Sequence, residues 1–80
     1  MHIKVLGPMT KKCEIMLQNT SIAAKKLKCH ATVEKVTEFS KVMAYGAIAL
    51  PALVIDEEVV AYGSVLPVEE IIKIIDKLSY

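Results

Sequence analysis

The sequence predicts an α/β fold, a mixed four-stranded sheet with helices on both faces and elements in the order β-α-β-α-β-β-α. Three observations lead there. His2–Leu6 is a short apolar run led by Ile3, Val5 and Leu6 and stopped by Gly7-Pro8, which reads as a strand entering a turn. From Thr10 the apolar pattern changes period: Cys13, Met16, Leu17, Thr20, Ala24 and Leu27 recur at spacings of three and four, one face of a helix. Nearer the C-terminus, Ala52–Ile55 and residues 59–62 are two β-rich runs separated only by Asp56-Glu57-Glu58, the layout of a hairpin.

The remaining elements follow in order. Thr10 is placed to cap a helix over residues 11–28, whose outer face carries Lys11, Lys12, Glu14, Gln18, Lys25 and Lys28. Residues 31–36 read as a second strand. Residues 37–45 read as a short helix, with Phe39, Val42 and Met43 as its apolar side and Gly46 as its stop. Residues 47–51 form a loop. The hairpin lacks the glycine that two-residue turns favour, so its turn is expected to be longer or strained. Gly63-Ser64 ends the last strand, Pro67 opens a final helix, and Glu69 and Glu70 suit its positive end. Ile71, Ile72, Ile74, Ile75 and Leu78 drive that helix onto the core. The first β-α-β unit must be a right-handed parallel crossover, and the closing hairpin must be antiparallel. With 80 residues and no linker, repeat or low-complexity tract, one domain over residues 1–80 is expected.

Composition excludes several classes. A chain 54% hydrophobic and 24% charged is not disordered. The longest uncharged stretch, residues 42–55, is broken by Gly46 and Pro51 and falls short of the roughly 20 apolar residues of a membrane span. The start of the chain shows no basic region followed by an apolar core and a cleavage site, so a cytoplasmic protein is expected. A net charge of +1 with no Arg and no Trp argues against a nucleic-acid binder. The charge is polarised nonetheless: residues 1–28 hold six Lys against Glu14 alone, whereas residues 56–80 hold six acids against Lys73 and Lys77.

Two cysteines are too few for a disulfide-stapled fold. Cys13 and Cys29 bracket most of the first helix, and sixteen residues of helix hold them ~24 Å apart, against the roughly 7 Å between Cα atoms that a disulfide tolerates. Cys29-His30 lacks the further ligands that zinc requires, His2 being the other His. Cys29 reads as a helix-end residue packed under the sheet edge, and no metal or cofactor is expected. Cys13 has two readings. It is a small apolar residue on the buried helix face, or a thiol activated by the helix N-terminus and by Lys11 and Lys12. Thr10 likewise is a plain N-cap, or a hydroxyl that hydrogen-bonds the Cys13 sulfur. From the residues alone, Pro51 closes an ordinary loop, since the cis form is a minority state of X-Pro bonds.

The residues themselves carry a resemblance. Val5-Leu6-Gly7-Pro8, Cys13, Val33-Glu34-Lys35-Val36, Tyr45-Gly46, Leu50-Pro51-Ala52-Leu53-Val54-Ile55-Asp56 and the segment from Gly63 through Glu69-Glu70-Ile71 resemble the small bacterial and archaeal thioredoxin-like proteins of the redox-active-disulfide group, over nearly the whole chain. The resemblance implies a thioredoxin fold, thiol–disulfide exchange and a protein or small-thiol redox partner. It implies a cis Pro51 facing the active-site turn, with Leu50 offering its backbone to an extended partner strand. On it, Cys13 and Thr10 are the candidate catalytic pair, and Pro8, Met9, Lys11, Lys12, Leu50, Pro51 and Gly63 the candidate partner-binding residues. One departure matters. The group carries C-x-x-C at this turn, and this chain reads Thr10-Lys11-Lys12-Cys13. The attacking sulfur is replaced by a hydroxyl, so a dithiol cycle within the turn is impossible. Two functions remain open: a one-sulfur exchanger that forms mixed disulfides, or a non-enzymatic binding module that keeps the groove. Met9, Ala47, Ile48 and Leu50 have no evident need to be buried and are expected to form an apolar partner surface, open to a homodimer through Met9, Ile48 and Leu50.

Overall fold

The computed structural model describes residues 1–28 and 30–78. Its elements are β1 (His2–Leu6), α1 (Lys11–Lys26), β2 (Thr32–Val36), α2 (Phe39–Ala44), β3 (Ala52–Ile55), β4 (Glu58–Tyr62) and α3 (Val68–Leu78). The order is the expected one. The sheet runs β2-β1-β3-β4, with β1 parallel to β2 and antiparallel to β3, and β3 antiparallel to β4. Differences lie at the helix ends. α1 stops at Lys26, and Lys28 turns the chain with φ 53°. The reading of Cys29 falls outside the described residues.

β1 and β3 are the central strands, and their alternation builds two cores. Ile3, Val5, Leu53 and Ile55 point to one face, where Met16 and Ala23 of α1 and Ile71 and Ile75 of α3 cover them. Leu6, Ala52 and Val54 point to the other, where Val42 of α2 covers them. All four residues of β3 are buried, as an apolar run buried on both faces demands. Burying one such side chain stabilises by roughly 1.5–3 kcal/mol, so the sheet centre is the chief source of stability. The segment before α3 is tied to α1 by the Asn19 amide, which donates to the Leu66 carbonyl at 2.9 Å.

The second face is only partly roofed. α2 has six residues, and of the three apolar residues expected to anchor it only Val42 is buried. Phe39 is 76% exposed and Met43 54%, because a helix under two turns long presents only one residue squarely to the sheet. Where α2 ends, Lys4 emerges on the same face as Leu6. Its ammonium donates to the Tyr45 hydroxyl and to Glu57 Oε1, each at 2.7 Å, and the Tyr45 hydroxyl donates to Glu57 Oε2 at 3.0 Å. First the Lys4 ammonium and then the Tyr45 hydroxyl hold the Glu57 carboxyl below its usual range. Glu57 in turn, with Tyr45, holds the Lys4 ammonium above its own.

The hairpin is tight rather than extended. Ile55 pairs with Glu58, leaving Asp56 and Glu57 as a two-residue loop with φ 48° and 71°. Both are in the left-handed region that glycine or asparagine usually occupies in such turns. Asp56 is held from both sides: its N–H donates to the His2 carbonyl, and its Oδ1 accepts from the His2 N–H, both at 2.8 Å.

Two outcomes follow. Asp56→Gly and Asp56→Ala both lose the Oδ1 acceptor, but only alanine keeps a β-carbon in the left-handed region, so urea unfolding should find the glycine variant more stable by roughly 1 kcal/mol. A carboxyl whose folded-state pKa is lowered stabilises above the unfolded value and loses that contribution as pH falls through the folded one. The unfolding midpoint should therefore fall below about pH 4, and Glu57→Gln should flatten part of that acid limb while lowering the midpoint at neutral pH. The effect should be small, because the pair is solvent-screened.

Candidate functional site at the turn after the first strand

β1 has β2 on one side and β3 on the other, so chain connections diverge at its carboxyl end. That is where open α/β sheets leave a crevice. The Gly7–Cys13 segment lies there. The Gly7 N–H donates to the Val36 carbonyl at 3.0 Å, continuing the pairing to β2, and the Thr10 N–H donates to the Pro8 carbonyl at 2.8 Å, closing the turn. Thr10 caps α1 from an extended conformation: its Oγ1 accepts from the Cys13 N–H at 3.4 Å, and its carbonyl accepts from the Glu14 N–H at 3.0 Å. Among the described hydrogen bonds none joins the Thr10 hydroxyl to the Cys13 sulfur.

Cys13 is 2% exposed. Its Sγ lies against the Gly7 backbone so closely that a β-carbon built on Gly7 would stand 2.5 Å from it. Gly7 has φ 150°, within the range that favours glycine. The sulfur occupies the space a side chain would need. Pro8, Met9, Thr10, Lys11 and Lys12 are exposed in front of it.

The loop before β3 closes the other side. The Leu50–Pro51 peptide is cis, and Pro51 is buried. Leu50 Cβ lies 3.8 Å from the same position on Gly7. The Pro51 carbonyl accepts from the Gly63 N–H at 3.0 Å, which brings Gly63 to this corner. Among the described residues no hydrogen bond takes up the Leu50 N–H or carbonyl. The structure therefore gathers Cys13, Thr10, Pro8, Leu50, Pro51 and Gly63 at one end of the sheet. Met9 is 78% exposed, Ile48 80% and Leu50 40%, as expected of the apolar surface; Ala47 instead packs partly on the Leu6 cluster.

Sequence reading missed two parts of this corner. One is the packing role of Gly7, whose missing side chain admits the sulfur; the Gly-Pro pair signals a turn but not this contact. The other is an apolar cleft of about 250 Å³ between Gly7, Pro8, Thr37, Phe39, Val42 and Leu50. Phe39, on the apolar side of its helix, is 76% exposed, and its exposure opens this cleft. A larger hollow of about 760 Å³ lies over β1 and β2, beside Lys4, Glu34, Lys41, Tyr45 and Glu57. None of its lining residues belongs to the turn or to the Leu50–Pro51 loop, so it is set apart from the sulfur. Among the described residues no cluster of His, Cys, Asp or Glu has the makings of a metal site, and no helix is long and apolar enough to cross a membrane.

The packing makes a non-additive prediction. Gly7→Ala should destabilise by roughly 1–3 kcal/mol through the clash with sulfur. In a Cys13→Ala background the nearest remaining side-chain atoms are the Cβ of residue 13 at 3.7 Å and Leu50 Cβ at 3.8 Å, so the cost should shrink to the backbone strain alone. Equal costs in both backgrounds, read from urea unfolding, would mean that the sulfur is not what excludes a side chain at Gly7.

A thioredoxin-domain family model matches residues 1–76. The thioredoxin of Methanothermobacter thermautotrophicus (strain Delta H) is 35% identical over 75 residues, covering 94% of this chain and 97% of its own. With the β-α-β-α-β-β-α order, the turn after β1 and the loop before β3 all in place, the chain belongs to the thioredoxin family of redox proteins.

Proposed function

We propose that this protein is a thioredoxin-family binding module, a single domain of the cytoplasm, that grips an extended segment of a partner protein and does not turn over disulfides by itself. The observation that carries this reading is the burial of Cys13 behind Gly7. A thiol must meet its target in line with a disulfide, and a buried structural cysteine is inert. In front of it stands Thr10, where the redox-active-disulfide group has its attacking cysteine; a hydroxyl takes no part in disulfide exchange. The partner-binding half of the site is intact on this reading. The Leu50 N–H and carbonyl, unpaired among the described residues, offer a short strand pairing, and Pro8, Met9, Lys11, Lys12, Pro51 and Gly63 frame it.

A second reading has one observation in its favour: Cys13 sits in the first turn of α1, where the helix dipole and Lys11 and Lys12 favour an anion. Were the turn to open, the Cys13 thiolate would attack a disulfide of a protein or small thiol. One S–S bond would form between Cys13 and the nearer sulfur, the other sulfur would leave as a thiolate, and an external thiol would release the mixed disulfide.

The two readings part in measurement. Native protein should reduce insulin disulfides negligibly. Cys13 should be alkylated by iodoacetamide at least tenfold more slowly than in urea. Thr10→Cys, which supplies a second sulfur in the same turn, should produce dithiol-dependent insulin reduction. Rapid native alkylation, with a mixed disulfide to glutathione detected by intact mass, would favour the one-sulfur exchanger.

A further inference from the structure

Resting on that reading, we infer that the partner segment carries an apolar side chain flanked by carboxylates: the apolar group enters the cleft between Pro8, Phe39, Val42 and Leu50, and the carboxylates face Lys11 and Lys12. The cleft fits one side chain. Its volume of about 250 Å³ lies below the roughly 300–1,000 Å³ of small-molecule sites. Val42 is buried at 4% exposure, while the rim residues Phe39 and Leu50 are 76% and 40% exposed. An aromatic ring on the first turn of a helix, left in water beside an apolar hollow, gains by being covered. The Leu50 backbone, unpaired among the described residues and on the same wall, sets the direction of an extended chain that reaches it.

Charge selects the rest of the segment. Lys11 and Lys12 are exposed, and the described ion pairs engage Lys4, Lys41 and Lys73 instead. Glu14, in the first turn of α1, offsets part of this charge; the Gly7–Cys13 turn itself holds no acid, the Leu50–Pro51 side lies within the uncharged residues 42–55, and Glu38, next to Phe39, is already paired with Lys41 at 3.6 Å. The N-terminus of α1 adds the same sign of field. Two such lysines, three and four positions after Pro8, attract carboxylates and repel basic segments. They also disfavour a second copy, because an isologous pairing would bring both pairs of lysines onto one interface.

The test is selection from a phage-displayed library of random octapeptides on the immobilised protein, followed by fluorescence polarisation with the most enriched peptide, synthesised and labelled. Enriched peptides should carry Leu, Ile, Phe or Met within two positions of Asp or Glu. The labelled peptide should bind at least tenfold more weakly to Phe39→Ala and to the Lys11→Glu/Lys12→Glu double variant, and its Kd should rise as NaCl goes from 50 to 500 mM. All three residues are exposed, so far-UV circular dichroism and thermal midpoint should be those of the parent. Peptides that bind, with the Leu50 amide shifted in NMR spectra, but show no charge preference and no loss with Phe39→Ala overturn this inference and leave strand binding standing. A library that enriches nothing overturns both. Concentration-dependent dimerisation in sedimentation, abolished by Phe39→Ala, identifies the occupant as a second copy and overturns it as well.

Discussion

The contact between the Cys13 sulfur and the Gly7 backbone is the constraint from which the working end of this molecule follows. β1 ends at Leu6, buried on the α2 face, and α1 must begin within a few residues and return over the opposite face. Gly7 has no side chain, which lets the first turn of α1 press directly on the end of the strand. Thr10 then meets the N–H groups that this close packing would otherwise strand. The Cys13 sulfur fills the space that a side chain on Gly7 would need. The same tight packing that stabilises the helix start removes the thiol from solvent, so packing and reactivity oppose each other at one atom.

A second constraint is the length of α2. Six residues roof only part of the sheet face, and everything polar or open on that face follows. Lys4, on a central strand, keeps its charge because it lies beyond the helix end and finds Tyr45 and Glu57 there. Phe39 and Met43 stay in water because the helix has no second turn with which to press them down. The Phe39 cleft and the Lys4 hollow are thus two consequences of one short helix. One lies beside the turn and the other apart from it.

The two central strands divide labour along their length. Toward the hairpin, β1 is clasped by backbone and side-chain bonds between His2 and Asp56. Toward the turn, it is bounded by Gly7, Pro51 and Gly63, where the Pro51 carbonyl is paired and no described bond takes up the Leu50 backbone. On the proposed reading, that backbone edge is where a partner chain would pair. Such pairing would need no rearrangement of the core.

By itself the sequence determined the order of elements and the identity of the sheet centre. Those depend on local period and on runs such as Ala52–Ile55, which leave a strand nowhere to go but inside. It also determined that the turn holds a single sulfur, since that is a matter of composition. The capping role of Thr10 and the exposure of Met9, Ile48 and Leu50 were legible for the same local reasons. The fate of Phe39 was not, because helical period names an apolar side without saying how much sheet lies beneath it. The left-handed Asp56 and Glu57 were visible only as a turn lacking glycine; the two-residue loop between Ile55 and Glu58 came from strand pairing. Above all, whether Cys13 is buried or open to solvent was undecided in one dimension. Gly7 and Cys13 are six positions apart, and only the folding of α1 back over β1 brings the sulfur onto the glycine and closes it from water.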